Sequence, residues 1–288
     1  MDWPVVFHFL NGALMIAMPL GLAIYLTRRW KLGWRLWFIG AATFILSQVG
    51  HIPFNSLATN LLNRTPLVNL SPTDALIFNA VFLGLSAGLF EELFRYGMFR
   101  WVAKDARSWR KGILAGAGHG GAEAIILGVL VFVSFLQLLY YRTADLAAVL
   151  PASQLAEAQS QVAAYWSAPW YMAILGALER FFTIPVQISL AVLVLQTFTR
   201  RQWFWVWLAV FYHAIVDCTA VLLSTTGNAL LIEGAVGLYA LFSVILIFAL
   251  RQPEPEESGL PVNPPPTAPV VRKPMADTAE SLDNSRYA

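Results

Sequence analysis

Seven stretches of this sequence are each long and apolar enough to cross a lipid bilayer, and that feature removes most folds from consideration. A spanning helix needs about 20 mostly apolar residues. The stretches run approximately over 5–27, 36–58, 74–99, 112–139, 169–199, 203–225 and 229–250. The weaker pattern of a membrane β-barrel, alternating segments of about ten residues, is absent. The expected fold is all-α: a polytopic membrane helix bundle of about seven transmembrane helices. Charged residues make up 12% of the chain, about half the roughly 25% a soluble domain carries. That share disfavours a soluble enzyme, a disordered regulator and a nucleic-acid binder. Nineteen Lys/Arg against seventeen Asp/Glu leave no basic excess for a polyanion. The bilayer is the expected environment, with the chain a multi-pass integral membrane protein. A single cysteine, Cys218, excludes an internal disulfide.

Lys/Arg placement sets the expected orientation. Arg28, Arg29, Lys31 and Arg35 lie in the first loop. Arg100, Lys104, Arg107, Arg110 and Lys111 lie in the third, Arg200 and Arg201 in the fifth, and Arg251 after the last span. The other side carries Arg64 and Arg142. The expected topology is N-out and C-in. Trp30, Trp34, Trp37, Trp101, Trp109, Trp203 and Trp205 gather at the basic ends, and Trp166 and Trp170 at the other, as interfacial belts. A reporter fused after residue 251 should be active only as a cytoplasmic reporter; activity on the outer face would reverse the assignment. Met1-Asp2 is no basic n-region and no small-residue cleavage site follows, so the first span is read as retained.

Two domains are expected: a membrane domain over 1–250 and a tail over 251–288 that holds eight of the sixteen prolines and is otherwise polar. Such a tail is expected to be disordered or extended, and cytoplasmic. The longest outer segment, 140–168, contains a candidate amphipathic helix over 151–164. Pro185 in the long fifth span predicts a kink or tilt.

An ionisable residue near the centre of a span costs at least about 2.5–3.5 kcal/mol, so each is a functional candidate. This chain has His51 in span two and Glu91, Glu92 and Arg95 in span three. Span four has His119 and Glu123, span five Glu179 and Arg180, and span six His213 and Asp217. Glu91–Arg95, His119–Glu123 and His213–Asp217 are i,i+4 pairs, so both members of each share a helix face. At 1.5 Å per residue, Glu91, His119, Glu123 and His213 lie roughly 10–16 Å from the basic end. Helices running in opposite directions thus place polar groups at one level, as a single shared site open to the basic side would require. Gly112, Gly116 and Gly120 recur every four residues. They permit close helix packing, and the same closeness is expected to let the carboxylates of span three reach His119.

The runs Phe90-Glu91-Glu92-Leu93-Phe94-Arg95, Gly118-His119-Gly120-Gly121-Ala122-Glu123-Ala124 and His213-Ala214-Ile215-Val216-Asp217 resemble the YhfC family of intramembrane proteases. That family is similar to the CAAX-protease/bacteriocin-processing superfamily and to the PrsW proteases. Gln48-Val49-Gly50-His51-Ile52-Pro53 and Glu179-Arg180 resemble it too, over about residues 40–250. The resemblance implies an intramembrane endopeptidase acting on membrane-embedded or membrane-proximal polypeptides. Glu91, in a role that Glu92 could share, would be general base. His119 would bind or activate water, His213 would stabilise the tetrahedral intermediate, and Asp217 would orient it. The chain departs from many CAAX-type members at Arg95, which follows Glu92 after two residues rather than three, at Asp217, where Asn is common, and at the additional Glu123.

Chemistry at these residues admits two forms. A buried carboxylate pair can raise one pKa and yield a glutamate that exchanges protons with water. Alternatively Zn²⁺ is held by His119, Glu123, His213 and Asp217, with another carboxylate as base. The metal-free form ranks first on sequence alone. Against both stands the plainer reading of Glu92–Arg95 and Glu179–Arg180 as structural ion pairs; Arg95, His51, Glu179 and Arg180 are accordingly expected to support the site. Cys218 reads as packing. A proton- or metal-coupled transporter is the rival of another class, weakened by the lack of an internal repeat.

Overall fold

The computed structural model describes residues 1–65 and 69–253. Helices α1 (Trp3–Trp30), α2 (Arg35–Leu62), α3 (Pro72–Gly97) and α4 (Trp109–Tyr141) are followed by the shorter α5 (Leu146–Val149), α6 (Ala152–Ser167) and α7 (Trp170–Ala173). Then come α8 (Leu175–Thr199), α9 (Phe204–Ser224) and α10 (Ala229–Ala249). No strand occurs among the described residues. Seven of the helices, α1 to α4 and α8 to α10, are long and apolar enough to span a membrane. The protein is thus a multi-pass integral membrane bundle. Large apolar side chains such as Val49, Leu130, Leu238 and Phe248 remain exposed, which is where lipid would cover them. The proline-rich tail lies, from residue 254 on, outside the described residues.

Local chemistry explains the ends. Ser71 accepts from the Asp74 amide at 3.2 Å with Pro72 at the first helical position, and Asn228 caps α10 through the Leu231 amide at 3.2 Å. The end of α3 loosens into one π-helical turn, Met98–Val102, closed by the Ala103 amide on the Met98 carbonyl at 2.8 Å. Arg35 then grips the following loop through both oxygens of Asp105, at 3.0 and 2.9 Å. That hydrogen bonding holds the Asp105 carboxyl below the usual carboxylate range.

The fifth span is interrupted at Ile174, between α7 and α8, and Pro185 sits inside α8. At the interruption the Ala177 amide donates both to Asn11 of α1, at 2.6 Å, and to the Ile174 carbonyl, at 3.1 Å. The predicted amphipathic segment is helical as α6, with no fully buried residue.

Three glycine contacts set the helix positions. The backbones of α2 and α4 touch: a Cβ added at Gly118 would lie 2.0 Å from the Trp37 carbonyl oxygen, and one at Gly40 would lie 2.0 Å from that of Ala115. Likewise α3 lies on α9, where a Cβ at Gly84 or Gly88 would come within 2.5 Å of the Ala214 or Val210 carbonyl oxygen. Gly112, Gly116 and Gly120 face α8, against Leu195, Ala191 and Gln187. The stripe therefore seats α8 on α4 and does not face α3; α3 is carried to the site by α2 and α9. Gly118→Val should destabilise the bundle by about 3 kcal/mol or more, the upper end of overpacking costs, read as a lowered unfolding midpoint in detergent. Gly21→Val, with nothing near its added Cβ, should leave the midpoint unchanged.

Candidate active site

The glycine contact of α3 with α9 places Glu91 and Glu92 opposite His213, and that of α2 with α4 holds His119 across from them. Glu91 Oε2 lies 3.0 Å from His119 Nε2 and 4.0 Å from His213 Nε2. Its other oxygen accepts from Gln48 Nε2 at 3.0 Å. Glu92 Oε1 accepts from His213 Nδ1 at 2.8 Å and from Arg95 Nη1 at 2.5 Å. Arg95 Nη2 stands 3.5 Å from Glu91 Oε2. On the other side of His213, Asp217 Oδ2 is 3.5 Å from Nε2. Glu91, Glu92, Arg95, His119 and His213 are all buried, whereas the Asp217 side chain is 38% exposed and lies at the edge of the cluster.

These contacts define tautomers. With Nδ1–H donated to Glu92, His213 turns Nε2 toward the Glu91 and Asp217 carboxylates, which favour a proton there too. His119 donates Nε2–H to Glu91 and leaves Nδ1 buried without a hydrogen-bond partner. Glu92 Oε2 is likewise buried and unpartnered. Phe44 packs edge-on against His119 with ring centroids 5.2 Å apart, which fixes the imidazole plane.

A second polar group adjoins the first. Gln187 of α8 accepts from Arg95 through its side-chain oxygen and donates from Nε2 to Glu123 Oε2 at 2.7 Å. Glu123 also accepts from Arg180 Nη1 at 2.5 Å, and Arg180 pairs in turn with Glu179. His51 joins neither group directly: it bonds Ser86 at 3.1 Å and Asn55 at 2.9 Å and lies beside the Phe90 ring.

The model of the YhfC intramembrane metalloprotease family matches residues 14–236. The chain belongs to the YhfC family. It is also 30% identical, over 258 residues, to the membrane protein YhfC of Bacillus subtilis (strain 168), covering 86% of this chain and 96% of that one. No solved structure matches. Membership places the chain among intramembrane proteases and raises the question of a metal.

The donor chemistry fits zinc. Catalytic zinc takes three protein ligands from imidazole nitrogen and carboxylate oxygen, leaving one position open. Among the described residues no three His, Cys, Asp or Glu side chains stand where they could together hold a metal ion. The donor types are nevertheless present: His213 turns Nε2 toward Glu91 and Asp217, His119 has an unpartnered Nδ1, and each imidazole would give up a proton on taking a metal ion. The Glu92 carboxylate on His213 Nδ1 is the support that metal-bound histidines ordinarily carry. Glu123, one of the four possible ligands named from sequence, faces Arg180 and Gln187 instead.

Sequence reading passed over Gln48 and Gln187, which join the elements of the site. Their signal was an amide in an apolar span, fainter than a charge. Glu233 of α10, buried with an unpartnered Oε2, carried the full signal of an ionisable residue in a span and stands outside the motif runs.

Proposed function

We propose that the protein is an intramembrane endopeptidase that hydrolyses peptide bonds of membrane-embedded or membrane-proximal polypeptides at the Glu91–His119–His213 centre. The observation that carries this reading is the meeting of one carboxylate oxygen with two imidazoles, 3.0 and 4.0 Å away, inside a bundle of spanning helices. A purely structural ion pair has no need of either histidine. Intramembrane hydrolysis needs a base, groups to support the developing oxyanion and a route for water.

Glu91 is the base. It takes a proton from the attacking water and returns it to the leaving amine. Gln48 holds its far oxygen, so the near one stays aimed between the imidazoles. Glu92, paired with Arg95 and His213, stays ionised and positions His213. Asp217, at the edge of the cluster and 3.5 Å from His213, orients that imidazole and the attacking water. The Arg95–Gln187–Glu123–Arg180 relay supports α3 from behind. An apolar cavity of about 420 Å³ between α2 and the end of α3 includes Leu93 and Phe94, which directly follow Glu91 and Glu92. It suits an apolar residue of the polypeptide being cut.

The family's description and the donor set together favour the metal-holding form over the metal-free one. Held by His119, His213 and Asp217, Zn²⁺ would supply Lewis-acid polarisation of the scissile carbonyl and acidify the attacking water. Elemental analysis of purified protein should find close to stoichiometric zinc, and chelation should abolish peptide cleavage until zinc is restored. His119→Ala should lose the metal. Glu123→Gln, outside the ligand set, should keep it. Cleavage by zinc-free protein, indifferent to chelator, would return the mechanism to carboxylates alone.

A further inference from the structure

At the basic end of the bundle the side chains of Tyr96, Arg100, Thr197, Phe198, Arg201 and Trp203 line an open cavity of about 380 Å³. From it we propose a binding site for a phosphate group, that of an anionic membrane lipid or free phosphate, between Arg100 and Arg201. The catalytic reading is not needed for this.

Neither guanidinium has a carboxylate partner among the described residues, although the same end of the protein pairs Arg35 with Asp105. Two unneutralised arginines facing one cavity repel each other, and an anion between them removes that repulsion. Thr197, more than nine-tenths buried, lines the same cavity; its hydroxyl lies beneath the cavity surface without a hydrogen-bond partner. Arg201 is held at φ 56°, the left-handed region that disfavours a residue with a Cβ. Glycine would be the relaxed choice there unless the side chain is needed. A third cation, Arg107, lies 4.6 Å over the Phe198 ring on the neighbouring wall.

The walls set the depth. Tyr96 stacks on Phe198 and packs on Trp203, with centroids 5.1 and 4.8 Å apart. An aromatic wall of this kind belongs at the level of lipid headgroups, where basic groups meet anionic lipid. Arg100 follows α3, which carries Glu91, and Arg201 follows α8, which carries Gln187. A phosphate bridging the two would tie together the ends of the helices that frame the polar centre.

The test uses the purified full chain in detergent and measures binding of phosphatidylglycerol, phosphatidylcholine and inorganic phosphate by native mass spectrometry and thermal shift. Phosphatidylglycerol should bind and raise the unfolding temperature, and phosphatidylcholine should do so far less. The Arg100→Gln/Arg201→Gly double variant should bind at least about tenfold more weakly, the loss expected for two charge-assisted contacts. Gly suits the left-handed backbone at 201, so the variant keeps its fold, and Arg29→Gln controls for loss of positive charge elsewhere. Competition by millimolar inorganic phosphate alone would identify free phosphate as the occupant; its failure to compete would identify the lipid. Equal binding by wild type and double variant, or an equal loss in Arg29→Gln, would overturn the proposal, as would no binding of either phosphate source to wild type.

Discussion

Glu91→Gln is expected to lower peptide cleavage by roughly 10²- to 10⁴-fold, the usual span for removing a general base. The replacement keeps the shape of the side chain and can still hydrogen-bond to Gln48 and His119, both about 3.0 Å away. What it cannot do is accept and return a proton. The fold should survive, because the change removes one of two buried carboxylates that share a single arginine. Initial rates on a transmembrane peptide, with products identified by mass, check this. A loss of less than about tenfold would remove Glu91 from the role of base.

Arg95→Leu is expected to act on stability rather than on a chemical step. Arg95 is wholly buried and is the cation for Glu91 and Glu92 as well as the partner of Gln187. Removing one partner of a buried ion pair typically costs about 3–5 kcal/mol, because the stranded charge must be desolvated alone. The unfolding midpoint of purified protein in detergent should therefore fall sharply. Adding Glu92→Gln to the variant should recover part of the loss, since it removes one of the stranded carboxylates. Equal midpoints for wild type and Arg95→Leu would mean the ion pair contributes nothing.

Length and hydropathy are local properties, so the seven spans were legible in the sequence, as was α6. The i,i+4 pairs were legible for the same reason. His213 and Asp217 share a face whatever their surroundings, and they do meet, at 3.5 Å. His119 and Glu123 share a face too, yet they part company: His119 turns to Glu91, and Glu123 to Arg180 and Gln187. Spacing along one helix fixes direction but not the neighbour waiting there. The glycines teach the same lesson. Their period announced a close packing, but only the tertiary arrangement could show that Gly116 meets α8 and that the α2 contact falls at Gly118. At the interruption near Ile174 the Ala177 amide bonds Asn11, far away in the chain, and sequence spacing does not announce such a contact. Gln187 escaped because an amide carries no charge, although it links Arg95 to Glu123.

Zinc content and peptide cleavage measured on the same preparations of wild type and Glu91→Gln test the central claim most directly. The account predicts that both proteins are folded and carry zinc alike, and that only the wild type cleaves. Cleavage by Glu91→Gln at the wild-type rate would contradict it.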